Sequence, residues 1–384
     1  MYPNLYYAFK DIFGVELEGL KLVNTFGFFV AIAFIAAAWI LTLELKRKQQ
    51  QGLFTYTEEK IMIGQPAGIG ELMVNGLLGF IFGYKLIGAF TIPDALADPQ
   101  SFILSSRGNL LTGMIVALIF GGIKWWEKRK QQLDKPEERI VRIWPQDRVG
   151  DIVIYAALFG FLGAKIFHNL ENWNEFTKDP IGSLISFSGL TFYGGLICAG
   201  AAIIWYAQKH KIVPIHLVDA MAPTMMLGYA LGRVGCQVSG DGDWGIVNTN
   251  PKPFNWIPDF LWAYKYPHNV INEGVPIPGC TGPYCSELPF PVYPTALYEV
   301  IMCLILFGII WILRKKIKVP GQLFGIYLIM NGAERFLIEK IRVNTKYDIL
   351  FNPTQAELIS LVLIMSGMAM VYFTAKAFKP KTSE

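Results

Sequence analysis

Nine stretches of mostly apolar residues run along the chain, at 24–45, 70–90, 109–126, 149–169, 187–207, 216–236, 295–313, 321–341 and 355–375. Each approaches the length needed to cross about 30 Å of hydrocarbon as a helix. The pattern predicts an all-α polytopic integral membrane protein with about nine transmembrane helices and a long outer loop between spans six and seven. Composition agrees: 53% of the 384 residues are hydrophobic and 17% are charged, where soluble domains carry about a quarter. No cleavable signal peptide is expected before the first span.

Lys and Arg flanks resist translocation, so their distribution sets the expected orientation. Lys46, Arg47 and Lys48 follow span one, and Lys128, Arg129, Lys130, Lys135, Arg139, Arg142 and Arg148 lie between spans three and four. Lys209 and Lys211, then Arg314, Lys315, Lys316 and Lys318, then Lys376, Lys379 and Lys381 fall on the same side if all nine stretches span. The opposite loops hold only Arg107, Lys178, Lys252 and Lys265. The amino terminus is therefore expected outside and the carboxyl terminus in the cytoplasm. The net charge of +4 reflects these flanks and makes no case for nucleic acid.

Five cysteines are too few for a disulfide scaffold. Cys280 and Cys285, in GCTGPYCS, fall in the outer loop, where an oxidising compartment would permit one bridge. Cys198 and Cys303 lie within spans and read as packing residues. Loop 246–294, rich in Pro, Asn, Trp and Tyr, is too long for a simple connection and reads as a small outer subdomain or interfacial cover.

Segment 70–126 resembles segment 150–206, with Gly70, Glu71, Gly83 and Lys85 matching Gly150, Asp151, Gly163 and Lys165. This reads as a duplicated helix pair, and an even number of added spans leaves the downstream orientation unchanged. Small residues four apart, Gly79 with Gly83 and Ala156 with Gly160 and Ala164, suit close helix contact in lipid. Segment 127–147 reads as a charged cytoplasmic linker.

Ionisable residues inside spans are costly and generally face a protein interior or an aqueous cavity. Arg233 closes span six, Glu299 opens span seven, and Arg335, Glu339 and Arg342 lie near the outer end of span eight at spacings that share a helix face. Tyr193 lies in the outer third of span five. An arginine at a helix end often snorkels to the interface, and Arg335 with Glu339 would serve as an ordinary ion pair. Polar groups at one depth in four spans point instead to a site. A guanidinium grips phosphate through parallel hydrogen bonds and stays charged when desolvated, so two of them suggest a lipid phosphate at the outer leaflet. Gly232, Gly235, Gly240, Gly242 and Gly245 would allow positive φ and let backbone N–H groups approach an anion. Asp241 and Asp243 read as turn formers, with pairing to the arginines as the alternative. Cys236 reads as a buried packing cysteine rather than a nucleophile, and Asp219 as a helix-start carboxylate.

The stretch GRVGCQVSGDGDWG at 232–245 resembles the signature of bacterial prolipoprotein diacylglyceryl transferases, and FYGGLI at 192–197, YPTALYE at 293–299 and ERFLIE at 334–339 follow the family's further motifs. The likeness covers span one and most of 148–375. It implies a multi-pass inner-membrane enzyme that moves the diacylglyceryl group of phosphatidylglycerol onto the lipobox cysteine thiol of a prolipoprotein signal peptide, releasing glycerol 1-phosphate. It implies no metal and no organic cofactor; the partners are membrane lipid and the prolipoprotein, with no nucleic acid. The resemblance assigns the chemistry to Arg233, Arg335, Glu339, Tyr193 and Glu299. It assigns phosphatidylglycerol binding to Arg233, Gly194, Gly195, Gly235, Gly245 and Tyr298, and Asp219 matches an acidic residue fourteen positions before the signature arginine. The departures are Tyr193 for a histidine, Phe26 for a tyrosine and Ala296 for a glutamine; Tyr193 would serve as a substitute base or only as a hydrogen-bonding or packing residue. The implied organisation is a first span in 1–46, an added helix pair with its linker in 47–147, and a transferase core in 148–384. A lipid or small-molecule transporter and an acyltransferase using Cys236 are the competing readings.

Overall fold

The computed structural model describes every residue except 93, 94, 97, 98, 187, 188, 190, 349–351 and 379–384; Lys379 and Lys381 of the charge pattern lie outside the described residues. Its long helices are α1 Thr25–Gln50, α2 Ile69–Phe82, α3 Leu110–Gln131, α4 Val149–Glu171, α5 Phe192–Lys209, α6 Pro214–Ser239, α7 Thr295–Leu313, α8 Gln322–Glu339 and α9 Gln355–Ala377. Among the described residues, six helices are long and apolar enough to cross a membrane: Thr25–Gln50, Ile69–Phe90, Leu110–Gln131, Pro145–Glu171, Thr295–Leu313 and Gln355–Ala377. The protein is thus a polytopic, mostly helical membrane protein. Helix α8 is less apolar because Glu334, Arg335 and Glu339 crowd its last turns.

Helices alone do not account for the chain. Strands β1 Thr57–Ile63 and β2 Glu137–Ile143 form an antiparallel ribbon, and β3 Val275–Pro276 pairs with β4 Ser286–Glu287. The 127–147 segment is therefore not simply a charged linker. Opposite charges face each other across the first ribbon, Lys60 with Glu138 at 2.9 Å and Arg142 with Glu58 at 3.3 Å, which is how cross-strand pairs stabilise a solvated ladder.

The chain divides into two compact units. The first comprises Met1–Ala8, Asn24–Thr55 and Ala207–Glu384. Here α6 packs against α1, α7 and α8, and α9 lies along α8, around a core of Ala222, Met226, Ala230, Cys303, Ile310, Leu323 and Tyr327. Helices α8 and α9 approach through glycines: a Cβ on Gly367 would stand 2.5 Å from the Gly325 carbonyl oxygen. At the end of the unit where α1 and α7 finish, buried Glu44 holds Arg47 at 2.8 Å and Arg314 at 3.0 Å. Asp219 does not cap its own helix. Its carboxylate accepts the Gly321 and Phe324 N–H groups at 2.8 and 3.0 Å and so caps the start of α8. The 246–294 loop folds as a small body on Trp244, Tyr266, Leu288 and Val292, with a Cys280–Cys285 disulfide.

The second unit comprises Phe9–Val23 and Tyr56–Tyr206. In it the repeated residues do the same work twice. A Cβ on Gly83 would lie 2.4 Å from the Thr112 carbonyl oxygen, and one on Gly163 would lie 2.5 Å from that of Gly194, so each helix pair closes on a glycine. The Lys85 amine donates to the carbonyls of Phe102, Ser105 and Arg107, in the last turn of the short helix Pro99–Leu104 and just past it. Lys165 donates to the Ser186 hydroxyl and the Gly189 carbonyl, just past Pro180–Ile185. In each helix pair a lysine, half-buried at Lys85 and buried at Lys165, meets oxygen acceptors of the crossover segment.

Candidate active site

The site lies in the first unit, at the end where α6 and α8 finish and α7 begins. Helix α6 ends at Gly240, which takes the left-handed conformation (φ 66°) and accommodates the reversal. The chain then runs as a strap between α7 and the residues after α8. The Gly245 N–H donates to the Tyr293 carbonyl at 2.9 Å, the Ile246 N–H to the Ile341 carbonyl at 2.9 Å, and the Thr295 hydroxyl to the Asp243 carbonyl at 2.7 Å. Gly245 is required by space: a Cβ there would stand 2.5 Å from the Ile341 oxygen.

Glu299, fully buried in the second turn of α7, is the hub. Its Oε1 accepts from the Tyr229 hydroxyl at 3.0 Å, from Arg233 at 3.1 Å and from Arg335 at 2.8 Å. Its Oε2 meets Arg233 Nε at 2.8 Å, and Arg342 Nη1 stands 3.6 Å from Oε1. Asp243, on the strap, pairs with both Arg233 and Arg342. Glu339 takes Arg335 Nη2 at 3.2 Å and also accepts from the Thr354 hydroxyl at 2.8 Å and the Asn344 amide. Three guanidinium groups thus face three carboxylates in a largely buried nest. Burial opposes the ionised form of Asp243, but Arg233 and Arg342 more than offset it and hold this carboxyl below its usual range. Asp241 is pushed up by burial and by the neighbouring Asp243 charge, which outweigh its contacts with Cys236, the Asp243 N–H and Arg233. A buried charge set of this kind persists only when each member is paired, and the pairs fix the guanidinium planes before any anion arrives.

The structure brings Arg233, Glu299, Arg335 and Glu339 into one cluster. The two aspartates divide: Asp241 accepts the Asp243 N–H at 3.3 Å, as a turn former does, while Asp243 pairs with arginines. Cys236, Asp241 and Asp243 offer donor atoms within 4.8 Å of one another, yet the two guanidiniums on Asp243 already supply the positive charge a cation would bring. Of the signature glycines, Gly240 and Gly242 have positive φ. Gly235 instead lies against α1, where a Cβ would meet the Phe26 carbonyl oxygen at 3.2 Å. Tyr298 donates to the Leu261 carbonyl at 2.8 Å, tying α7 to the folded loop, and borders a cleft of about 360 Å³ lined by Ile301, Met302, Leu337, Ile338 and Ile341. Tyr193, Gly194 and Gly195 belong to the second unit, where Gly194 abuts Phe167, Gly195 abuts the Gly160 carbonyl, and the Tyr193 ring meets Phe192 edge-on.

Sequence reasoning placed Arg342 on the right face but gave it no role, and passed over Tyr229. The spacing of Tyr229 four residues before Arg233 was the available signal, because it puts both on one side of α6.

The protein is a helical membrane protein that gathers three largely buried arginines and their carboxylate partners at one end of a helix bundle. The family model described as prolipoprotein diacylglyceryl transferase matches residues 113–373. A phosphatidylglycerol-prolipoprotein diacylglyceryl transferase from Dehalococcoides mccartyi is 27% identical over 298 residues, 75% of this chain and 96% of its own length. Proteins of the same name from Staphylococcus saprophyticus and Psychrobacter arcticus are 30% identical over 230 residues (59% of this chain, 74% of the relative) and 25% identical over 288 (73% and 94%). The chain belongs to the prolipoprotein diacylglyceryl transferase family.

Proposed function

We propose that this protein transfers the diacylglyceryl group of phosphatidylglycerol to the lipobox cysteine thiol of a prolipoprotein, forming a thioether and releasing glycerol 1-phosphate. The observation that supports it best is the convergence of Arg233, Arg335 and Arg342 on Glu299. In the reaction the sulfur attacks the glyceryl carbon and the carbon–oxygen bond to phosphate breaks, so negative charge grows on the departing phosphate. Guanidinium N–H groups already oriented at that point stabilise this charge with little reorganisation. Arg233 and Arg335 hold the phosphate, Glu299 and Glu339 set their planes, and the apolar cleft beside Tyr298 receives acyl chain. Tyr193, Gly194 and Gly195 enter as site residues on the FYGGLI motif alone.

In this reading all nine apolar stretches span an inner membrane, with the amino terminus outside and the carboxyl terminus in the cytoplasm, and the site opens to the outer leaflet. The pair in 47–147 is an addition to a core in 148–384. A transporter would set its polar groups near the middle of the bilayer, whereas Arg233 and Arg335 lie in the last turns of α6 and α8. The test is transfer from glyceryl-labelled phosphatidylglycerol to a lipobox peptide by purified protein and by Arg233→Ala. Transfer by the wild type that collapses in the variant supports the reading; folded wild-type protein without transfer refutes it.

A further inference from the structure

The carboxylates described above are all engaged. Glu299 holds arginines and a tyrosine hydroxyl, Asp243 holds Arg233 and Arg342, and Glu339 holds Arg335, Thr354 and Asn344. Glu334 is different. It directly precedes Arg335 on α8, is only 3% exposed, and neither carboxylate oxygen has a hydrogen-bond partner among the described residues. Glu299, Arg335, Arg233 and Arg342 lie within its electrostatic reach, as do Tyr229, Cys303 and Tyr327 of the interior. A carboxyl group without a donor in a water-poor interior is costly to keep. Glu334 thus puts an unpartnered buried carboxyl one residue from Arg335 of the cluster, and a group of that kind calls for a functional partner.

The transfer reaction, on which this inference rests, supplies that partner. The attacking group is a thiol, and only its thiolate is a competent nucleophile. Oxygens committed to guanidinium groups are poorly placed to take its proton. We propose that Glu334 accepts the proton of the substrate thiol. The S–H bond breaks and its proton passes to a Glu334 oxygen. The sulfur electron pair forms the bond to the glyceryl carbon, and the electrons of the broken carbon–oxygen bond leave on the phosphate. The departing phosphate monoester, whose second ionisation lies near pH 6, then takes the proton from Glu334 and restores the carboxylate. Arg335 and Glu334, adjacent in sequence, thereby divide the work between leaving group and nucleophile.

The test uses the full-length protein in phosphatidylglycerol-containing detergent micelles with a lipobox peptide. Glu334→Gln keeps the shape and removes the acceptor. The expected result is a fall in kcat of about 100-fold or more with KM for phosphatidylglycerol unchanged. The residual rate should rise with pH toward the thiol's own ionisation at about 8.5. A peptide carrying selenocysteine, whose selenol is already ionised at neutral pH, should recover most of the lost rate in Glu334→Gln, and Glu334→Asp should exceed Glu334→Gln. A variant that transfers cysteine peptide at the wild-type rate overturns the assignment. So does a slow variant with the wild-type pH profile and no selenocysteine recovery, since that is the mark of a structural role. Failure of the wild type itself to transfer would overturn the transferase reading instead.

Discussion

Replacing Glu299 by glutamine removes the charge on which the arginine cluster converges. Glu299 is fully buried and meets Arg233 at 2.8 Å, Arg335 at 2.8 Å and Arg342 at 3.6 Å. In the native cluster Arg233, Arg335 and Arg342 pair with Asp243, Glu299 and Glu339, and the substitution removes the one carboxylate that all three guanidiniums approach, with little water to replace it. Breaking a buried ion pair from one side costs about 3–5 kcal/mol, and here Arg335 loses its 2.8 Å contact with Glu299 while retaining the 3.2 Å one with Glu339. Glu299→Gln should therefore lower unfolding free energy in mild detergent by about 3–5 kcal/mol, measured by denaturant titration with tryptophan fluorescence. Transfer should fall by at least about 100-fold as the guanidinium planes lose their reference, by analogy with removal of one oriented donor. Glu299→Gln combined with Arg342→Gln removes a guanidinium together with the carboxylate it faces and should recover part of the stability without the activity. If the single variant unfolds within about 1 kcal/mol of wild type, the size of an exposed pair, the cluster is not the buried network described.

Gly245→Ala forces a methyl group toward the Ile341 oxygen and should displace the strap carrying Asp243, losing activity while circular dichroism keeps its helical signal. Asp219→Asn weakens the cap on α8 and should cost about 1 kcal/mol in the same titration. Asp243 is held below its usual range by burial-opposing contacts with Arg233 and Arg342. Its stabilisation is thus full above the ordinary value of about 3.9 and is lost as pH falls through the depressed one. The stability gap between wild type and Asp243→Asn should be constant from pH 5 to 8 and close in acid. Lys85→Met removes the amine that meets the Phe102, Ser105 and Arg107 carbonyls and should speed proteolysis after Arg107 while leaving transfer intact.

What the chain reveals directly follows from how membranes constrain residues. Arg233, Glu299, Arg335 and Glu339 stand out because a charge within an apolar run demands a partner, and the structure supplies each one with another member of the set. The residues that escaped lie where that demand is silent. Asp243 sits beyond the end of α6 beside glycines, where a turn explains an aspartate equally well. Arg342 follows the end of α8, where snorkelling accounts for an arginine. The β1–β2 ribbon was hidden because TEEKIMI and EERIVRI are 74 residues apart at their nearest ends, Ile63 and Glu137, and carry charges suited equally to a linker. Asp219 looked like a cap for its own helix because its true partner, the start of α8, lies about a hundred residues away and only tertiary packing brings it there. The Gly83 and Gly163 match, by contrast, was legible at a fixed offset and reappears as the same close helix contact in each copy.

The most direct measurement of the central claim is the stoichiometry of products in one reaction: thioether-linked diacylglyceryl peptide by mass spectrometry and glycerol 1-phosphate by enzymatic assay. One phosphate product per modified peptide, with both falling together in Arg335→Ala, is the result expected if the arginine cluster holds the leaving phosphate during thiol attack. Phosphate product without modified peptide, or peptide modification undiminished in Arg335→Ala, would contradict it.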